Sequence, residues 1–216
     1  MPDGTPLYQR QLRLLRAVFP EPHTIYISLA PGSETDDYLE SLLAVESDPT
    51  PENESENGDL KEPKVRILRD RHPPRSRYSA GPAAGLLSAY RYDPWATWVV
   101  VNCDYPLLPP DAIYHLMVKR DSVPVTCYRS TDGDCEPLLA IWAPPAMARL
   151  AERVARGHPC PKEAAREFDA LTLDAPPGCE WWLTNVDEME ELVKTIEEKK
   201  LRSLEPAAVE VPKEAA

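Results

Sequence analysis

One α/β domain built on a parallel-rich sheet is the fold class this sequence predicts, and three observations predict it. Strand-like apolar runs alternate along the chain with amphipathic helical segments, the pattern of successive βα units. The run at 98–102, Trp-Val-Val-Val-Asn, is apolar up to its last residue, as in a strand covered on both faces. The chain of 216 residues, 43% hydrophobic and 28% charged, is long enough for one core and ordinary in composition.

The elements follow in order. Leu7, Leu12, Leu14, Leu15 and Val18 recur at helical spacing over 6–19, with Arg10, Arg13 and Arg16 opposite. The β-rich run TIYISL predicts a strand at 24–29, and a second amphipathic helix is expected at 36–45. Residues 46–63 carry seven acidic side chains and almost nothing apolar, which predicts a disordered insertion. A strand is expected at 65–68, followed by Arg69 and Asp70. Gly81 opens a small-residue turn, and Pro82 suits the first turn of a helix at 83–90. After the strand at 98–102, Pro106, Pro109 and Pro110 stop regular structure before a helix at 111–119. Strands at 123–128 and 137–142 flank a hairpin turn at Asp132-Gly133. Helices at 145–156 and 162–168, a last strand at 181–184 and a last helix at 186–201 complete the series. The domain is thus placed at 1–201, with 202–216 a flexible tail. Many of the 25 prolines fall in pairs that read as loops, such as 73–74, 109–110 and 176–177.

Charge narrows the function. With 36 acidic against 24 basic residues the net charge is −12, which argues against nucleic acid or an anionic membrane as partner. The five cysteines show no C-x-x-C pair and no zinc-ligand spacing, and with no apolar signal core or membrane-length run they predict a cytoplasmic protein. His158 and Cys160 lack a second ligand pair, and no G-x-S-x-G elbow is present.

Asp104 stands just beyond the carboxyl end of the 98–102 strand. Open α/β sheets bind ligands there, and a carboxylate in that place suits a hard divalent cation held against phosphate oxygens. It would equally serve as a cap for the helix starting near Pro110. Asp70 has the same relation to the strand at 65–68, or is an exposed loop acid among Arg69, Arg71, Arg75 and Arg77, whose guanidinium groups would pair well with phosphate.

Read together, G-P-x-x-G at Gly81, Pro82 and Gly85, C-D-x-P at Cys103, Asp104 and Pro106, Glu136-Pro137-Leu138 leading a strand, and Asn185-Val186-Asp187 before an acidic helix form an ordered series. The series resembles the MobA-like NTP transferases, which include the molybdenum cofactor guanylyltransferases and cytidylyltransferases, and the likeness runs over roughly residues 3–195. Two departures stand out. The family's Thr-Pro pair after the Asn-x-Asn or Asp-x-Asp start is replaced in NVDEMEEL, and the family's glycine-rich loop after its first strand has no counterpart here. The opening MPDGTPLYQRQLRLL resembles the family's sequence just after that loop, so the first strand is expected to be missing.

The resemblance implies a Rossmann-like three-layer α/β/α nucleotidyltransferase fold with a mostly parallel sheet, in which the strands at 137–142 and 181–184 are the ones expected to run antiparallel. It implies transfer of a nucleoside monophosphate from GTP or CTP to a phosphorylated acceptor of molybdopterin type, with Mg²⁺ as cofactor. Asp104 is then the catalytic and metal residue and Asp187 a second metal ligand, unless Asp187 only faces the dipole of its helix. Asp70, Gly81, Pro82, Gly85 and Asn185 line the nucleotide, although Gly81 and Pro82 would also make a plain helix start. Loss of the phosphate loop would instead leave a catalytically inactive nucleotide- or pterin-binding protein.

Overall fold

Prolines mark where the helices begin. The computed structural model describes residues 5–30, 39, 63–70, 81–130, 133–185 and 193–194. Its elements are α1 (Leu7–Val18), β1 (Thr24–Leu29), β2 (Lys64–Arg69), α2 (Pro82–Tyr92), β3 (Trp98–Val101), α3 (Pro110–Lys119), β4 (Val125–Arg129), β5 (Cys135–Trp142), α4 (Pro144–Ala155), α5 (Pro161–Glu167), β6 (Leu171–Leu173) and a 3-10 turn at Glu180–Leu183. From α2 to α5 every helix starts on a proline, whose fixed φ and missing N–H cost nothing in a first turn. Each of these helices also has Lys or Arg in its last turn, where the helix dipole is negative. The expected helix at 36–45 lies outside the described residues except for Leu39, which is helical and buried. The acidic stretch, the tail and most of the helix at 186–201 also lie outside them.

β1 and β2 pair in parallel from Thr24↔Lys64 to Leu29↔Arg69. The other strands form a sheet of order β3-β5-β4-β6. β5 runs antiparallel to both β3 and β4, and β6 is parallel to β4, so β5 alone runs against its neighbours. That reversal was expected. It follows from the hairpin joining β4 to β5, where Gly133 takes φ +86 and its N–H bonds Ser130 O at 2.9 Å.

Side-chain alternation along β5 divides the core into two layers. Ala140 and Trp142 meet Leu86 and Leu87 of α2, Met147 and Leu150 of α4, and Ala164 and Ala165 of α5. Leu139 and Ile141 meet Leu14 and Val18 of α1 and Ile113 and Leu116 of α3. Helices therefore cover both faces of the sheet, giving the three-layer α/β/α arrangement. No helix among the described residues is long and apolar enough to cross a membrane.

One expectation is corrected. Residues 181–184 are not a strand. After Pro176-Pro177, Gly178 takes φ +79, and i→i+3 bonds from Trp182 N to Cys179 O at 2.9 Å and Thr184 N to Trp181 O at 3.3 Å wind the Trp-Trp pair into the 3-10 turn. The strand that pairs here is β6, only three residues long. β3 is covered on both faces as expected, Trp98 and Val100 packing against the layer of α2, α4 and α5 and Val99 and Val101 against that of α1 and α3, although all four residues are only half-buried because β5 is its one partner strand among those described. No described strand lies between β1 and β3. Aromatic rings bridge them instead, Tyr26 meeting Trp98 at 5.3 Å and Tyr92 at 4.9 Å between centroids.

Candidate functional site

The carboxyl ends of β1 and β2 place one half of the site. Ser28, near the end of β1, donates its hydroxyl to Asp70 Oδ1 at 2.5 Å, and the Asp70 N–H bonds Leu29 O at 2.9 Å. Asp70 is thereby fixed beside α2 rather than left as a free loop acid. Gly85 of α2 faces this pair. A β-carbon there would stand 2.7 Å from Ser28 Oγ and 3.9 Å from Asp70 Oδ1, so only glycine lets the helix approach this closely. At the head of the same helix Gly81 has φ +51 and Pro82 follows at the first position. That φ is open to glycine and strained for other residues.

The end of β3 places the other half. Asn102 continues the ladder, its N–H bonding Leu138 O at 2.8 Å, and its side-chain amide donates to Asp104 Oδ2 at 2.7 Å. Cys103 lies 3.5 Å from Asp104 Oδ1; partial burial and the neighbouring carboxylate push its thiol pKa up, so the thiol stays protonated and donates. The helix cap reading of Asp104 does not hold: α3 is capped by Pro109, with no side-chain hydrogen bond. The loop carrying Asp104 is tied down by Gln11 Nε2 bonding Tyr105 O at 2.7 Å.

Beside the head of α2 lies a cleft of about 430 Å³. It runs from Gly81 and Pro82 across Glu136, Pro137 and Leu138 of β5 to the segment from Pro159 to Lys162. The volume suits a small organic ligand. Asp70 and Asp104 do not line it; Asp104 is connected to its wall through Asn102 and Leu138.

The structure thus brings together Asp70, Gly81, Pro82 and Gly85 along α2, with Asp104 across the cleft wall. Asn185 is exposed, just past the 3-10 turn whose Trp182 shares a core cluster with Tyr105 and Leu108. Asp187, Arg71, Arg75 and Arg77 lie outside the described residues. Ser28 and Asn102 were missed by sequence reasoning. The one signal for each was a lone small polar residue at the end of an apolar strand. No cluster of three or more His, Cys, Asp or Glu side chains able to hold a metal occurs among the described residues. Asp104 offers a single oriented carboxylate, a donor that fits Mg²⁺, which typically takes one or two protein carboxylates and completes its shell with phosphate and water.

Comparison with known proteins gives a consistent set. The family described as the MobA-like NTP transferase domain matches residues 1–168. A molybdenum cofactor biosynthesis bifunctional protein of Synechocystis is 26% identical over 97 residues, which are 44% of this chain but only 28% of that protein. In three dimensions, molybdopterin-guanine dinucleotide biosynthesis protein A of Archaeoglobus fulgidus is similar with a TM-score of 0.57 at 15% identity, over 90% of this chain and 86% of that one. The 4-diphosphocytidyl-2C-methyl-D-erythritol synthase of Anaerococcus prevotii is similar with a TM-score of 0.62 at 8% identity, over 91% and 87%.

Proposed function

We propose, from the premise that the chain belongs to the MobA-like NTP transferase domain family, that it joins a nucleoside monophosphate from GTP or CTP to a phosphorylated acceptor of molybdopterin type. An acceptor phosphate oxygen bonds to the α-phosphorus as the bond from that phosphorus to pyrophosphate breaks. Pyrophosphate leaves with the electron pair. The molybdopterin acceptor is supported by the names of the Synechocystis and Archaeoglobus relatives, and CTP by that of the Anaerococcus protein.

The observation that carries this reading is Asp104. Its carboxylate is held by Asn102 beyond the end of β3 and takes no part in capping α3. Asp104, with Asp187 as second candidate, would hold Mg²⁺, which when bound offsets the charge developing at the α-phosphate. The chain's other residues act by positioning. Ser28 orients Asp70 toward the sugar or base, and the positive φ of Gly81 presents backbone where the nucleotide passes.

The test is Asp104→Ala and Asp104→Asn, assayed for Mg²⁺-dependent pyrophosphate release from GTP and CTP with a molybdopterin acceptor. Both variants are expected to lose roughly 10²-fold or more in rate with the melting midpoint of the free protein nearly unchanged. A large loss of stability with nucleotide affinity intact would make Asp104 a structural residue. Nucleotide binding without turnover in the unaltered chain would favour a binding protein instead.

A further inference from the structure

We infer that Glu136 makes the cleft beside α2 a reader of the 2-amino-4-oxo-pyrimidine ring, the edge that guanine and pterins share. The inference rests on the nucleotide- and pterin-handling reading above and names the residue that selects for it. Glu136 stands at the start of β5 on the cleft wall. Its Oε1 accepts the Leu138 N–H at 3.1 Å, which locks the side chain against its own strand. Among the described residues Oε2 has no partner. A carboxylate oxygen holds two lone pairs, so Oε2 and the second pair on Oε1 remain as two adjacent acceptors.

Adjacent acceptors call for adjacent donors. The ring N–H and exocyclic amine of a 2-amino-4-oxo-pyrimidine are two parallel N–H groups, spaced like one face of an arginine fork, and a carboxylate takes such a pair bidentately. Cytosine offers a single amine beside two acceptors and would set a ring nitrogen against the carboxylate. The walls agree with a flat ring. Pro82, Pro137, Pro159 and Pro161 line the cleft and give it rigid apolar faces, with Lys162, ion-paired to Asp134 at 3.6 Å, beside them. The position also agrees. Leu138, whose N–H orients Glu136, accepts the Asn102 N–H through its carbonyl, so a ring held by Glu136 lies one strand from Asp104.

The experiment titrates the full chain by calorimetry with GMP, CMP and 2-amino-4-oxopteridine, and repeats it with Glu136→Gln. Glutamine keeps an oxygen for the Leu138 N–H but replaces the second acceptor with a donor. The expected result is that GMP or the pterin binds at least about tenfold tighter than CMP, and that E136Q removes that preference by weakening the amino rings, its new donor facing their ring N–H. Preference for GMP assigns the cleft to the donor base; preference for the pterin assigns it to the acceptor. Inosine monophosphate and the 2-oxo pteridine, which lack the amine, test the same contact without mutation and should bind about tenfold weaker than their amino counterparts. Equal affinity for GMP, the pterin and CMP, no binding of either amino ring, or an E136Q protein that keeps the preference overturns the inference. Binding is read without turnover, so a chain that selects the ring but releases no pyrophosphate sinks only the transferase reading.

Discussion

Gly85 carries hydrogen because Ser28 stands where a methyl group would go. Gly85→Ala gains about 1 kcal/mol of helix propensity but puts a β-carbon 2.7 Å from Ser28 Oγ and 3.3 Å from Ser28 Cβ. Overpacking costs about 1–3 kcal/mol, so the net change is a loss, and the hydroxyl is driven off Asp70. The expected outcome is a lower denaturant midpoint and weaker nucleotide binding, with part of the stability regained in Gly85→Ala/Ser28→Ala. A double mutant no better than the single would show that backbone, not the hydroxyl, sets the limit. At this scale the sequence was legible where a residue's identity is itself the property. Asp104 carries charge, Gly81 and Gly85 lack a β-carbon, and Pro82 lacks a donor. Ser28 and Asn102 were not legible as site residues, since their roles depend on what they face: Asp70, 42 residues on in the chain, for one and a carboxylate two residues on for the other.

Elements were read well where period and punctuation agreed. β1 occupies the expected 24–29 run, and α2 to α5 begin within a residue of their expected starts. The reading failed at Glu180–Leu183, because Trp-Trp-Leu-Thr has strand-forming side chains and nothing within it betrays the i→i+3 winding set by Pro176, Pro177 and Gly178. β6 was missed because three residues carry no period. What the turn does is anchor. Trp182 is buried and meets His115 edge to face at 6.4 Å between centroids. Trp182→Ala is therefore expected to cost about 3–5 kcal/mol, measured by urea unfolding. Trp95→Ala, at a residue 87% exposed, should stay within about 0.5 kcal/mol. Equal losses at the two positions would mean that the turn is not part of the core.

For the molecule as a whole, the alternation of elements foretold a parallel-rich α/β sheet and the family resemblance its two helical layers; of the two strands expected to run antiparallel, 137–142 does and 181–184 is no strand. Neither foretold how that sheet divides, because strand order is written in pairings between distant residues rather than in any local pattern. β1–β2 and β3–β5–β4–β6 are joined by the rings of Tyr26, Tyr92 and Trp98 and by α2, and by no hydrogen-bonded strand pair among the described residues. A two-stranded ribbon held in this way opens at lower free energy than a packed four-stranded sheet. Amides of β1 and β2 should accordingly exchange with solvent well before those of β4 and β5, and uniform protection across all six strands would contradict it. The division also falls between the two halves of the site. Ser28 and Asp70 ride on one sheet, Asp104 on the other, so the distance between them is a compliant dimension of the fold, set by how far the aromatic seam yields. A nucleotide that touches both halves acts as a cross-brace. At a hundred times its dissociation constant it contributes about 2.7 kcal/mol, and that gain should appear first as slowed exchange in β1 and β2, with β4 and β5 little changed.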